Sequence, residues 1–118
     1  MRSTTTTQPN LPALRRFRLY GRALKWACEV LALPVLGNLR DQLQRAVHSV
    51  VLNIAEGGAQ ESPAAKKRHF RVARASLWEV AAALDLLALE PGAARIQCAC
   101  VNELQELDAM LGALIRRR

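Results

Sequence analysis

Arg45-Ala46-Val47-His48-Ser49-Val50-Val51-Leu52-Asn53-Ile54-Ala55-Glu56-Gly57-Gly58 is the stretch that decides the fold. Together with Leu43, its apolar residues Val47, Val50, Val51 and Ile54 recur in steps of three and four, the spacing of one face of an α-helix. A polar row, Arg45, Ser49, Asn53 and Glu56, keeps the same period beside it. Polar side chains that border an apolar stripe belong to a helix–helix or subunit seam, where each is hydrogen-bonded or costs about 1–3 kcal/mol. Asn38 is a plausible cap for this helix, and Gly57-Gly58 is expected to end it, because glycine accepts the left-handed conformation that closes a helix.

Working outward, every other long segment has helical period and none alternates like a strand. A first helix is expected over residues 13–33, on the stripe Leu14, Phe17, Gly21, Leu24, Cys28 and Leu31, with Pro34 and Gly37 to stop it. Its start should fray, since Arg15, Arg16, Arg18 and Arg22 crowd one another. Beyond Gly57, Ser62-Pro63 reads as a cap followed by proline at the first helical position. A third helix then runs to about residue 89 on Phe70, Ala73, Leu77, Val80, Ala81, Leu84 and Leu87, and Pro91-Gly92 breaks it. A fourth covers 94–116 on Cys100, Leu104, Leu107, Leu111 and Leu114. Residues 1–12, threonine-rich with two prolines, are expected to form a disordered arm before one domain over 13–118. The fold class is all-α, an antiparallel up-and-down four-helix bundle. Leu33, Val35, Leu36, Val72, Leu86, Ile96 and Ile115 fall off the main stripes, a surplus that points to a homo-oligomer.

Length and charge narrow the function. The chain has 118 residues, the size of one domain, with 17 Lys plus Arg against 10 Asp plus Glu and a net charge of +7. So basic a chain favours polyanionic partners, nucleic acid first among them. The odd set Cys28, Cys98 and Cys100 reads as reduced thiols. Two distant histidines and no Cys-x-x-Cys give no zinc spacing, so no metal or cofactor is expected. The polar N-terminus lacks the apolar stretch of a signal peptide, and no run approaches the about 18 apolar residues of a membrane span. The expectation is a cytoplasmic protein.

The cations cluster. On the third helix Lys66, Lys67, Arg68, Arg71 and Arg74 crowd the start, and Lys67, Arg71 and Arg74 fall within about 60° of helix surface. With Arg15, Arg16, Arg18 and Arg22 they are the candidate phosphate contacts for RNA or DNA. Trp78 extends the row by one turn and is assigned to packing against a neighbouring subunit, with base stacking as the alternative. Arg116-Arg117-Arg118 complement their own helix dipole and are expected at the other end of the bundle from the first two groups. Nothing assembles into catalytic machinery. His48 and Ser49 point to different faces, Gly57-Gly58 lacks the lysine and hydroxyl of a phosphate-cradling loop, and Glu103, Glu106 and Asp108 are expected to pair with cations of neighbouring helices. No enzymatic activity is expected.

Ser49-Val50-Val51-Leu52-Asn53-Ile54-Ala55-Glu56-Gly57 resembles the S-(I/V)-x-x-N-I-A-E-G segment of the bacterial four-helix-bundle family first described from open reading frames in intervening sequences of 23S ribosomal RNA genes. Phe70 followed by Ala73-Arg74-Ala75-Ser76-Leu77-Trp78-Glu79 is similar to that family's A-R-G-S-L-x-E segment, and Leu104, Leu107, Met110-Leu111 and Leu114-Ile115 fit its closing helix. The resemblance spans about residues 20–116. It implies a bundle assembled into a homopentameric ring. The superfamily includes the accessory variability determinant proteins of diversity-generating retroelements, which bind a reverse transcriptase and nucleic acid. It therefore implies an accessory subunit of that kind; the alternative is a protein–protein scaffold or a stand-alone intervening-sequence protein without direct nucleic-acid binding. Arg45, Ser49, Asn53, Glu56, Ser76 and Trp78 are assigned to packing or a subunit seam. Ala75 replaces the family's glycine, and a proline usual near Val51 is missing.

Overall fold

The computed structural model describes residues 10–91 and 99–117. It is all-helical, and the described residues form five helices: α1 (Pro12–Arg16), α2 (Arg18–Leu31), α3 (Gly37–Ala59), α4 (Pro63–Ala88) and α5 (Ala99–Arg116). The expected first helix is thus divided. Phe17 takes an extended ψ of 101° and separates α1 from α2. The break lets its ring turn toward the start of α4, where it sits 6.5 Å from the ring of Phe70.

Partners across each interface fix the relative directions. Gly58 of α3 lies against Phe17, while Arg40 near the start of α3 donates to the Leu31 carbonyl at the end of α2. Ser49 meets Ser76 and Asn53 meets His69, so α3 and α4 run antiparallel. Trp78 meets Asp108 and Arg74 meets the Gly112 position, so α4 and α5 do too. Helix α2 touches both α3 and α5. The core between them holds Trp26, Val30, Leu43, Val47, Val50, Ile54, Leu77, Val80, Leu107 and Leu111.

Several expectations need correction. The buried face of α2 is Leu19, Ala23, Trp26, Ala27 and Val30, whereas Leu24 and Cys28 are exposed. The segment carries two overlapping apolar faces, and the one bearing the large indole removes more apolar surface from water. Asn38 does not cap α3. The helix begins at Gly37, whose φ of +70° only glycine adopts cheaply, after an extended Leu36 without a side-chain cap bond. Gly57 and Gly58 lie inside α3, which continues to Ala59. They are places of close approach: a Cβ on Gly57 would stand 2.5 Å from Phe70 Cε1, and one on Gly58 2.7 Å from Phe17 Cε2. The cap at the start of α4 is as expected, with Ser62 Oγ accepting from the Ala65 N–H at 3.1 Å. Cys28 is a free thiol, but Cys100 is disulfide-bonded, against the expectation of reduced thiols throughout.

Of the surplus apolar residues, Val35 is buried and Leu33 and Ile115 pack on the core. Leu36, Val72 and Leu86 remain exposed, and Ile96 lies outside the described residues. So do residues 1–9 of the expected arm and 94–98 of the expected fourth helix. Among the described residues no helix is long and apolar enough to cross a membrane.

Candidate nucleic-acid interface

The basic start of α4 divides by partner. Lys66 Nζ donates to the carbonyl oxygens of Gly57 and Gly58, at 3.4 and 3.2 Å, and so places a cation at the C-terminal end of α3. Arg74 donates from Nε and Nη2 to the two carboxylate oxygens of Asp108, at 2.8 and 3.3 Å. Trp78 Nε1 donates to the same carboxylate at 2.8 Å, and the Arg74 guanidinium lies 5.9 Å from the indole centroid. These bonds hold the Asp108 carboxyl below its ordinary range and keep Arg74 firmly charged. Lys67, Arg68 and Arg71 make no hydrogen bond or ion pair with any described residue, which leaves them to solvent or a ligand.

The second basic group divides in the same way. Arg22 grips Glu103 of α5 with two bonds of 2.8 and 2.7 Å and also approaches Met110 Sδ at 3.2 Å. The Glu103 carboxyl is held low by Arg22. Arg15 stacks 5.8 Å above the Tyr20 ring. Arg16 and Arg18 are exposed on either side of Phe17. Because Phe17 is lodged against Gly58 and near Phe70, this arginine segment lies at the α3–α4 turn, beside the free cations of α4.

The third group is placed differently from the expectation. A Cβ on Gly112 would come 3.1 Å from Arg116 Nη1 and 3.5 Å from the Arg74 guanidinium carbon. Ile115 lines a hollow with Arg71 and Arg74. The end of α5 therefore lies beside the first half of α4, and Arg116 and Arg117 join the other two groups; Arg118 lies outside the described residues. The reason is topological: a helix antiparallel to α4 must finish where α4 begins. Glu56 and Glu61 are the acidic residues at this end. The opposite end carries Glu29, Asp41, Asp85 and Glu90 with Arg40 among them, so carboxylates outnumber cations there among these residues.

The polar row of α3 splits. Ser49 Oγ and Ser76 Oγ are 2.7 Å apart across the α3–α4 seam. Asn53 Nδ2 donates to the Ser49 carbonyl at 2.9 Å and to its hydroxyl at 3.2 Å, which leaves Asn53 Oδ1 as an acceptor for His69 Nδ1 at 3.2 Å. Since Oδ1 can only accept, His69 Nδ1 carries a proton. Glu56 stands 3.8 Å from the same ring. Arg45 is exposed and takes no part in this network. Sequence reasoning passed over His69, although it lies seven residues before Ser76 and so on the same face of α4. Among the described residues no group of three or more His, Cys, Asp or Glu could hold a metal ion.

A family model described as 23S rRNA-intervening sequence protein matches residues 18–113. No curated protein matches the chain, and no solved structure does.

Proposed function

The chain belongs to the 23S rRNA-intervening sequence protein family, and from that premise we propose that it is a non-enzymatic, self-associating four-helix bundle that binds RNA or DNA through the phosphate backbone. The observation that carries the reading is the convergence of Arg16 and Arg18, Lys67, Arg68 and Arg71, and Arg116 and Arg117 on one end, opposite an end rich in carboxylates. Phosphates meeting these cations release condensed counterions, so affinity falls steeply with salt and depends little on sequence. Self-association is supported by the exposed apolar side chains Val72 and Leu86 on α4 and Leu89 just beyond it. A role as accessory subunit to the reverse transcriptase of a diversity-generating retroelement would use this same basic end.

The test is a titration of nuclease-treated protein with labelled mixed-sequence RNA, DNA and hybrid. The variant Lys67→Gln/Arg68→Gln/Arg71→Gln should weaken binding to all three and lower the salt slope by roughly 2–3. Arg74 stays unchanged, because Arg74→Glu would set a second carboxylate against Asp108 and break the α4–α5 contact. Wild-type affinity in the triple variant would refute this surface. Salt-insensitive capture of a protein partner without nucleic-acid binding would favour a scaffold instead.

A further inference from the structure

Trp78 forms the ridge between two hollows on the α4–α5 face. One, of about 330 Å³, is bounded by Arg71, Arg74, Ala75 and Ile115. The other, of about 350 Å³, is bounded by Ala81, Ala82, Asp85, Gln105 and Asp108. We infer that the Trp78 indole is a stacking platform for an unpaired nucleobase, so that the ligand of the basic end is single-stranded RNA or DNA in preference to duplex. The inference rests on the nucleic-acid reading above.

Three features carry it. The indole is 63% exposed, yet it is held by the bond from Nε1 to Asp108 and by the Arg74 guanidinium near its ring. An aromatic ring already fixed in place loses little further freedom when a base stacks on it. The two hollows also differ in charge. Arg71 has no acid partner among the described residues and suits a phosphate, whereas Asp85 repels phosphate from the other hollow. A base fits there, with the Asp85 carboxylate able to accept from an exocyclic amine. Finally, Arg71 and Trp78 are seven residues apart, about 10 Å along the helix. The reach of the arginine side chain shortens that to the step between a base and a flanking phosphate. Paired bases in a duplex are already stacked and cannot offer a face to the indole without being opened.

The test uses the Trp26→Phe background. Trp26 is fully buried and its Nε1 has no hydrogen-bond partner among the described residues, so this change breaks no bond to them and leaves Trp78 as the sole tryptophan reporter. Mixed-sequence single-stranded RNA and DNA oligonucleotides, and the duplexes of the same sequences, are titrated at fixed salt. Single strands should quench Trp78 fluorescence and bind more tightly than duplexes. With affinities read from a label on the oligonucleotide, Trp78→Ala should weaken single-strand binding roughly 5- to 150-fold and leave duplex binding unchanged. Trp78→Phe, which also gives up the Asp108 bond but keeps a ring, should retain most of the affinity. Unequal responses of the RNA and DNA strands identify the natural sugar. Equal affinity for strand and duplex, or single-strand binding without quenching, overturns the stacking platform. In that case Lys67→Gln/Arg71→Gln would still weaken both, and the phosphate-binding reading would stand. No binding of any form at low salt overturns both.

Discussion

Gly57 and Gly21 make opposite demands on the same substitution. Both are helical glycines, and alanine in an open helix position gains about 1 kcal/mol over glycine. Around Gly21 nothing lies within 4 Å of an added Cβ, so Gly21→Ala should raise stability by roughly 0.5–1 kcal/mol. At Gly57 the Cβ would collide with the buried ring of Phe70, so Gly57→Ala should cost about 1–3 kcal/mol despite its better propensity. Phe70→Leu in the same chain should recover part of that loss, as a denaturant-melt double-mutant cycle would register. An equal gain at both sites would mean that the Phe70 contact is not as described. The sequence offered no way to see this difference. A Gly-Gly pair after an apolar stripe has the same letters whether it ends a helix or admits a neighbouring ring. Ser76 is similar, since a serine on the edge of a stripe shows its bond to Ser49 only when α3 and α4 are laid together. Ser76→Ala should cost about 1 kcal/mol.

Among the elements, α5 is held by two charged clamps, Arg22–Glu103 from α2 and Arg74–Asp108 from α4. In both carboxylates the folded pKa lies below the ordinary value. Their contribution to stability is therefore complete above the usual carboxylate range and is lost as pH falls through the lowered folded pKa. Urea midpoints should be flat from about pH 8 to 5.5 and drop toward roughly pH 3. Asp108→Asn with Glu103→Gln should lower the plateau and flatten the acid limb; an unaltered acid limb would show that other groups control it. High salt should weaken both clamps, since they are partly exposed. Helices α3, α4 and α5 were legible because each carries one dominant apolar stripe over several turns. Helix α2 was not, because Leu24 and Cys28 compete with Trp26 and Val30 for the core and only three-dimensional packing decides. That carboxylates of the last helix would meet cations on its neighbours was legible from charge alone, but the pairing of Asp108 with Arg74 was not.

For the molecule as a whole, direction of travel determines charge. Since α5 runs antiparallel to α4, its terminal arginines return to the end already occupied by the starts of α2 and α4. Most of the described cations are thereby gathered at one end. The composition only suggested a polyanionic partner; the convergence of three groups was not legible at all, because it depends on how helix ends are brought together by Phe17, Phe70 and Gly112. The most direct measurement is the affinity of nuclease-treated protein for mixed-sequence single-stranded RNA across about 50 to 200 mM salt, with the Lys67→Gln/Arg68→Gln/Arg71→Gln variant beside it. Affinity should fall by about 10³-fold or more over that range, and more gently in the variant. Binding that is absent at low salt, or that ignores both salt and the three substitutions, would contradict a phosphate-reading function for this end.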